Sequence, residues 1–196
     1  MKAIGFAGYS GAGKTTVLEQ VIRLLRERGE RVSVVKHAHH GFDVDLPGKD
    51  SWRHRQAGAF EVLVVSDQRL ALMREFEQAC PELSVHDMLA ELDPSVDWAI
   101  VEGFKTSDLP KIEIWREPQA HEKPRTLRCL EDAAVVAVAT DDADRLRLNG
   151  PLTMLDLNDP ATIVDWMQAH AGRFAYAGHP DRSTQQQQRH SKESSR

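Results

Sequence analysis

Eight residues near the start of the chain, Gly8-Tyr-Ser-Gly-Ala-Gly13-Lys14-Thr15, constrain its fold more than any other segment. They match the pattern G-x-x-x-x-G-K-[ST], in which a glycine-rich loop turns its backbone N–H groups onto phosphate oxygens. The flanks supply the context that the pattern needs. Lys2 to Ala7 is a short apolar run that reads as a buried strand. From Lys14 the period becomes helical, with Val17, Leu18, Val21, Ile22 and Leu25 on one stripe and Gly29 placed as the stop. A helix beginning near Lys14 would point its positive end at an anion in the loop. Gly8, Ser10, Gly11, Ala12, Gly13, Lys14 and Thr15 are therefore candidate nucleotide-binding residues. Lys14 supplies an ammonium for the β and γ phosphates, a catalytic contribution, and Thr15 a hydroxyl for Mg²⁺.

The remaining pattern alternates strands and helices. Arg31 to Lys36 is β-branched, and a polar loop with Pro47 and Gly48 leads to a short helix around Trp52 to Ala57. Phe60 to Val65, Trp98 to Val101 and Val135 to Ala139 are continuous apolar runs that suit strands covered on both faces. Lys111 to Trp115 alternates and is predicted as an edge strand, open to pairing with another chain. Leu83 to Leu92 reads as a helix, and Asn158-Asp159-Pro160 opens a last one to about His170. The fold class is α/β: a mainly parallel sheet flanked by helices, with room for antiparallel strands at its edges. Residues 1–175 form one nucleotide-binding domain on this reading. Residues 176–196 form a polar tail, glutamine-rich and nearly free of apolar side chains, which is expected to be disordered.

A carboxylate at the tip of a neighbouring buried strand usually completes a phosphate-loop site by serving Mg²⁺. Asp97-Trp-Ala-Ile-Val-Glu102-Gly103 fits, with Glu102 at the strand's C-terminal end as a metal and catalytic candidate. Lys36-His37-Ala-His39-His40, followed by Asp43 and Asp45, gathers further groups after the second strand. Three histidines and two carboxylates could bind zinc or nickel, but no closed Cys/His framework accompanies them. A polar loop beside the phosphates, with Asp45 or Asp43 near a bound Mg²⁺, is the more economical reading. Lys49 and Asp50 lie within reach of the nucleotide on the same reading.

Composition sets outer limits. Net charge is −5, with a pI of about 6.0, so nothing global suggests a nucleic-acid or acidic-membrane partner. Cys80 and Cys129 stand far apart and read as reduced core thiols. The N-terminus does not read as a signal peptide, and no apolar stretch approaches the roughly 20 residues of a membrane span. A cytoplasmic location follows as an expectation. From the residues alone a GTPase, a metallochaperone using His37 to His40 and a small-molecule kinase all stay open. No compact arginine-rich insertion appears late in the chain, which counts against the kinase.

GYSGAGKTT, VVKHAHHGFDVDLPGKDSWRHRQAGA and VEGFK, in this order, resemble the MobB family of molybdopterin-guanine dinucleotide biosynthesis adaptor proteins. The resemblance runs from about Lys2 to His170. It implies a GTP-binding protein with weak GTPase activity, a homodimer, working beside the guanylyltransferase that joins GMP to the molybdopterin cofactor. Gly11 to Thr16, so including Thr16, would hold the phosphates of GTP, and Thr15 and Glu102 the Mg²⁺. Asp50 and the turn Ser66-Asp67-Gln68-Arg69, with Gln68 and Arg69 foremost, become candidate nucleotide or partner contacts. The usual guanine reader N-K-x-D is missing. Asp141 or Asp142, after a late buried strand, could substitute, and an acidic turn unrelated to nucleotide is the equal alternative.

Overall fold

A computed structural model describes residues 1–38, 41–76, 83–118, 124–144, 146 and 152–178. The chain divides into two compact units, one made of Met1–His37 with Ser84–Arg196 and the other of Ala38–Leu83.

The larger unit is built on a six-stranded parallel sheet. Its strands are β1 (Lys2–Ala7), β2 (Val32–Lys36), β5 (Trp98–Glu102), β6 (Lys111–Trp115), β7 (Val135–Thr140) and β8 (Thr153–Asp156), in the order β2-β5-β1-β6-β7-β8. Parallel strands need crossovers: α1 (Lys14–Glu27) lies between β1 and β2 and α3 (Val85–Ala90) precedes β5, while α4 (Pro160–Ala169) follows the last strand. Burial on both faces explains the apolar runs. Ile4, Phe6, Trp98 and Ile100 pack with Val17, Val21 and Leu25 of α1 and Ile163, Val164 and Met167 of α4. Ala3, Ala99 and Val101, one residue out of step, pack with Val85 and Leu89 of α3.

Local chemistry fixes the helix ends. Gly29 N–H bonds to Arg26 C=O at 3.0 Å and Glu30 N–H to Leu25 C=O at 3.0 Å, the double closure that stops α1. Ser84 and Asp87 cap α3 reciprocally. Asp159 accepts from Ala161 N–H ahead of Pro160 in α4.

Two expectations are corrected. Lys111–Trp115 is no edge strand: β6 lies between β1 and β7, and all five residues are buried. Its alternation is real, but its polar face meets protein instead of water. Lys111 Nζ pairs with Asp132 at 2.8 Å and donates to Ser107 C=O at 2.5 Å. Glu113 accepts from Arg128 N–H and Cys129 N–H at 2.8 and 2.9 Å, at the start of a short 3-10 turn. Neither residue is left unpaired, which is what buried charges require.

The second correction concerns Phe60 to Val65. Glu61–Val65 (β3) pairs antiparallel with Leu70–Arg74 (β4) in a separate two-stranded sheet of the smaller unit. Ser66 N–H bonds to Arg69 C=O at 2.8 Å to close the turn between them. Leu63, Val65, Leu70 and Leu72 share one face through the pairs Leu63↔Leu72 and Val65↔Leu70, and all four are exposed. In the same unit α2 (Asp50–Gln56) carries Arg55, which bonds Asp43 at 2.8 Å, Asp45 at 3.3 Å and Glu75 at 2.6 Å. The guanidinium, one side chain with three carboxylate partners, ties the loop before α2 to the end of β4.

Candidate nucleotide site

The chain leaves β1 at Ala7 and enters α1 at Lys14, so the loop between them sits at the C-terminal edge of the sheet, beside the ends of β5 and β6. That edge is where open α/β sheets bind ligands. Gly8 carries φ +146, and a Cβ there would stand 2.5 Å from the Ile114 carbonyl oxygen of β6. Only glycine lets the loop leave the strand so close to its neighbour.

Lys14 folds back over the loop, donating to Tyr9 C=O at 2.8 Å and Gly8 C=O at 3.1 Å. Burial pushes its pKa below the ordinary lysine value. Glu102 opposes that shift, while Lys105, Lys36 and Arg125 add to it. Cations from four different segments therefore gather around one loop, a potential suited to a polyphosphate.

Thr15 Oγ1 donates to Glu102 Oε1 at 3.2 Å, joining residues 87 apart in sequence. The fold brings these two candidate residues together. A hydroxyl and a carboxylate this close are hard oxygen donors of the kind Mg²⁺ takes. Parallel register brings Lys36 of β2 opposite Glu102, and its Nζ lies 3.5 Å from Glu102 Oε2. The next residue, Gly103 (φ +100), has no room for a Cβ, which would meet His37 Cβ at 2.8 Å. His37 stacks on Phe104 with ring centroids 4.8 Å apart, so the histidine holds the backbone that follows Glu102. His39 and His40 lie outside the described residues, and among the described residues no group of three or more His, Cys, Asp or Glu could hold a metal ion.

Sequence reasoning missed the connection between β6 and β7. Its arginines are too dispersed to form a compact run, yet folding brings them to the loop. Tyr9 OH donates to Thr126 C=O at 3.1 Å and accepts from Thr126 N–H at 3.2 Å, and Arg125 lies 5.5 Å from the centre of the Tyr9 ring. Arg116, directly after β6, reaches Gly13: a Cβ on that glycine would be 3.5 Å from Arg116 Nε. Arg116 Nη1 also pairs with Asp141 at 3.1 Å. Asp142 N–H bonds to Thr140 Oγ1 at 3.3 Å.

The other candidates belong to the smaller unit. Asp45 accepts from Ser51 Oγ at 2.9 Å, from Leu46 N–H at 3.0 Å and from Arg55. Asp50 opens α2 and is 90% exposed. Gln68 and Arg69 donate their N–H groups to Ser66 Oγ in the hairpin turn.

Fold and site together define a phosphate-loop protein of the parallel α/β class. The family model described as "Molybdopterin guanine dinucleotide synthesis protein B" matches residues 3–141. The molybdopterin-guanine dinucleotide biosynthesis adapter protein of Escherichia coli (strain K12) is 41% identical over 174 residues, covering 86% of this chain and 95% of that protein. The corresponding adapter protein of Haemophilus influenzae is 38% identical over 169 residues, covering 84% and 86%. The crystal structure of Bacillus subtilis MobB is similar in fold, with a TM-score of 0.66 at 22% identity over 89% of this chain and 99% of that one. The chain belongs to the MobB family. Among the described residues no helix is long and apolar enough to cross a membrane.

Proposed function

We propose that this chain is a GTP-binding adapter of molybdopterin guanine dinucleotide biosynthesis, working in the cytoplasm beside the guanylyltransferase that joins GMP to molybdopterin. The observation that carries the reading is the Thr15–Glu102 contact at the foot of an intact phosphate loop, in a chain of this family. Gly8 and Ser10 to Thr16 cradle the phosphates of GTP, and Lys14 turns from the loop carbonyls to the β and γ oxygens. Thr15 and Glu102 hold Mg²⁺, which would neutralise charge on those phosphates. Asp45 at the metal's outer sphere, and Asp50, Gln68 and Arg69 as nucleotide or partner contacts, complete the reading. Asp45 would have to loosen its bond to Arg55 for that task.

Hydrolysis on this reading is slow and depends on Glu102. Glu102→Gln is expected to lower Mg²⁺-dependent GTP hydrolysis at least tenfold while changing GTP affinity in EDTA by no more than a few-fold. Phosphate release at saturating GTP, with and without Mg²⁺, checks it; unchanged hydrolysis counts against the metal assignment. The partner is tested by retrieving the full chain from cell extract. Recovery of the guanylyltransferase with guanine nucleotide supports the adapter role, and its absence in the presence of GTP refutes it.

The homodimer forms through the β3–β4 sheet in this proposal. A two-stranded sheet is at best marginal by itself in water, and the exposed apolar face of Leu63, Val65, Leu70 and Leu72 gives a second copy something to cover. Leu63→Asp with Leu72→Asp is expected to yield monomers at concentrations where the wild type sediments as a dimer. A wild-type monomer, or a dimer indifferent to both changes, would remove this face from consideration.

A further inference from the structure

Arg116 has an unexplained atom. Its Nε is shielded from solvent and has no hydrogen-bond partner among the described residues, although 42% of the side chain is exposed. A buried N–H without an acceptor is uncommon and asks for a reason, such as a ligand that supplies one. The location provides it. The Nε lies against Gly13, the residue immediately before α1, where a helix N-terminus and loop N–H groups already favour an anion.

The other side of the same guanidinium is held. Arg116 Nη1 pairs with Asp141 at 3.1 Å, and Asp141 follows β7, the strand next to β6. An ion pair between neighbouring strand ends fixes the planar group in orientation, so that Nε faces the loop while Nη1 faces the carboxylate.

We infer that Arg116 is a phosphate-binding residue of the nucleotide site, and that Asp141 is its positioning residue and not a reader of the base. This rests on the nucleotide reading of the phosphate loop given above. Arg116 Nε–H donates to a phosphate oxygen seated over Gly13, a charge-assisted bond made in cis by the connection after β6. Asp141 keeps the guanidinium from swinging to solvent. Its carboxylate acts on every nucleotide alike, because it touches the arginine and not guanine.

Titration calorimetry of the full chain with GTP, GDP and ATP tests both halves. Arg116→Ala is expected to weaken all three by a similar factor, about tenfold or more. Arg116→Lys retains charge but not the fork, and falls between the two. Asp141→Asn is expected to weaken GTP and ATP equally, by several-fold, leaving their ratio at the wild-type value. The melting temperature of each variant without ligand serves as the control for folding, since a purely structural arginine would move that value instead of the affinities. Wild-type affinity in Arg116→Ala overturns the phosphate assignment. An Asp141→Asn protein that loses GTP but not ATP overturns the positioning role and makes Asp141 the base reader. Wild-type protein that binds no nucleotide overturns the nucleotide reading itself, and this inference with it.

Discussion

Lys14→Ala is expected to weaken GTP binding at least 100-fold while leaving the fold intact. Among the described residues the ammonium bonds only to loop carbonyls, those of Gly8 and Tyr9, at 3.1 and 2.8 Å. Removing it costs the free protein two bonds at a part-exposed site, and typical hydrogen bonds contribute about 1 kcal/mol each. The bound state loses more. Lys14 Nζ is held by the loop's own carbonyls, and its place at the head of α1 is where the pattern puts the ammonium that serves the β and γ phosphates. Charge-assisted bonds to phosphate are roughly twice as strong as neutral ones, and 100-fold corresponds to about 2.7 kcal/mol. Lys36, Lys105 and Arg125 act on Lys14 only from a distance, so they cannot replace its contact. Calorimetry with Mg²⁺ and GTP, set beside the melting temperature of each protein without ligand, checks this. Equal affinities in wild type and variant would falsify the placement of phosphates in this loop.

The parts of this molecule that could be read from sequence are those whose physics is local. The phosphate loop declares itself through glycine spacing, and the ends of α1 and α4 through Gly29, Asp159 and Pro160. Glu102 could be found because a carboxylate ending an apolar run is a local signal, and parallel register then brings it to Thr15. The failures share one cause. Alternation in Lys111–Trp115 says that one face is polar, but not whether that face meets water or Asp132 and the N–H groups of Arg128 and Cys129. Continuous apolar character in Phe60–Val65 says the segment avoids water, but not whether its own fold or another chain would cover it. Arg116 carried no signal at all. A single arginine after a strand acquires meaning only when β6 lies beside β1 and sets it against Gly13. Neither β4 nor the four-residue β8 declares itself in the sequence, because runs this short give little period to read.

Asp132→Asn is expected to destabilise the protein by about 3 kcal/mol, and by more than Lys111→Met. The Lys111 side chain is 2% exposed in the interior of the sheet, and Asp132 supplies its only countercharge among the described residues, at 2.8 Å. With asparagine the ammonium keeps the carbonyls of Ser107 and Lys105 but is left as a net buried charge. Methionine removes that charge, and the remaining carboxylate, 26% exposed, can be rehydrated and still accepts from Ala134 N–H at 2.9 Å. The order of the two variants in urea unfolding is thus the measurement, and the reverse order would refute the account. Acidity gives an independent check. Burial works against the Asp132 carboxylate, but the bonds from Lys111 and Ala134 outweigh it and hold the carboxyl below its ordinary value of 3.8. A group depressed on folding stabilises fully above its unfolded value, and that stability is lost as pH falls through the folded one. The gap between wild type and Asp132→Asn should therefore be constant near neutrality and close only below about pH 4. The pair also anchors Lys105 and Ser107, in the segment that leaves Glu102 and Gly103. Loss of Asp132 is for that reason expected to slow Mg²⁺-dependent hydrolysis along with the loss of stability, whereas a gap in stability that persists undiminished into strong acid would show that the carboxylate's charge is not what holds this segment.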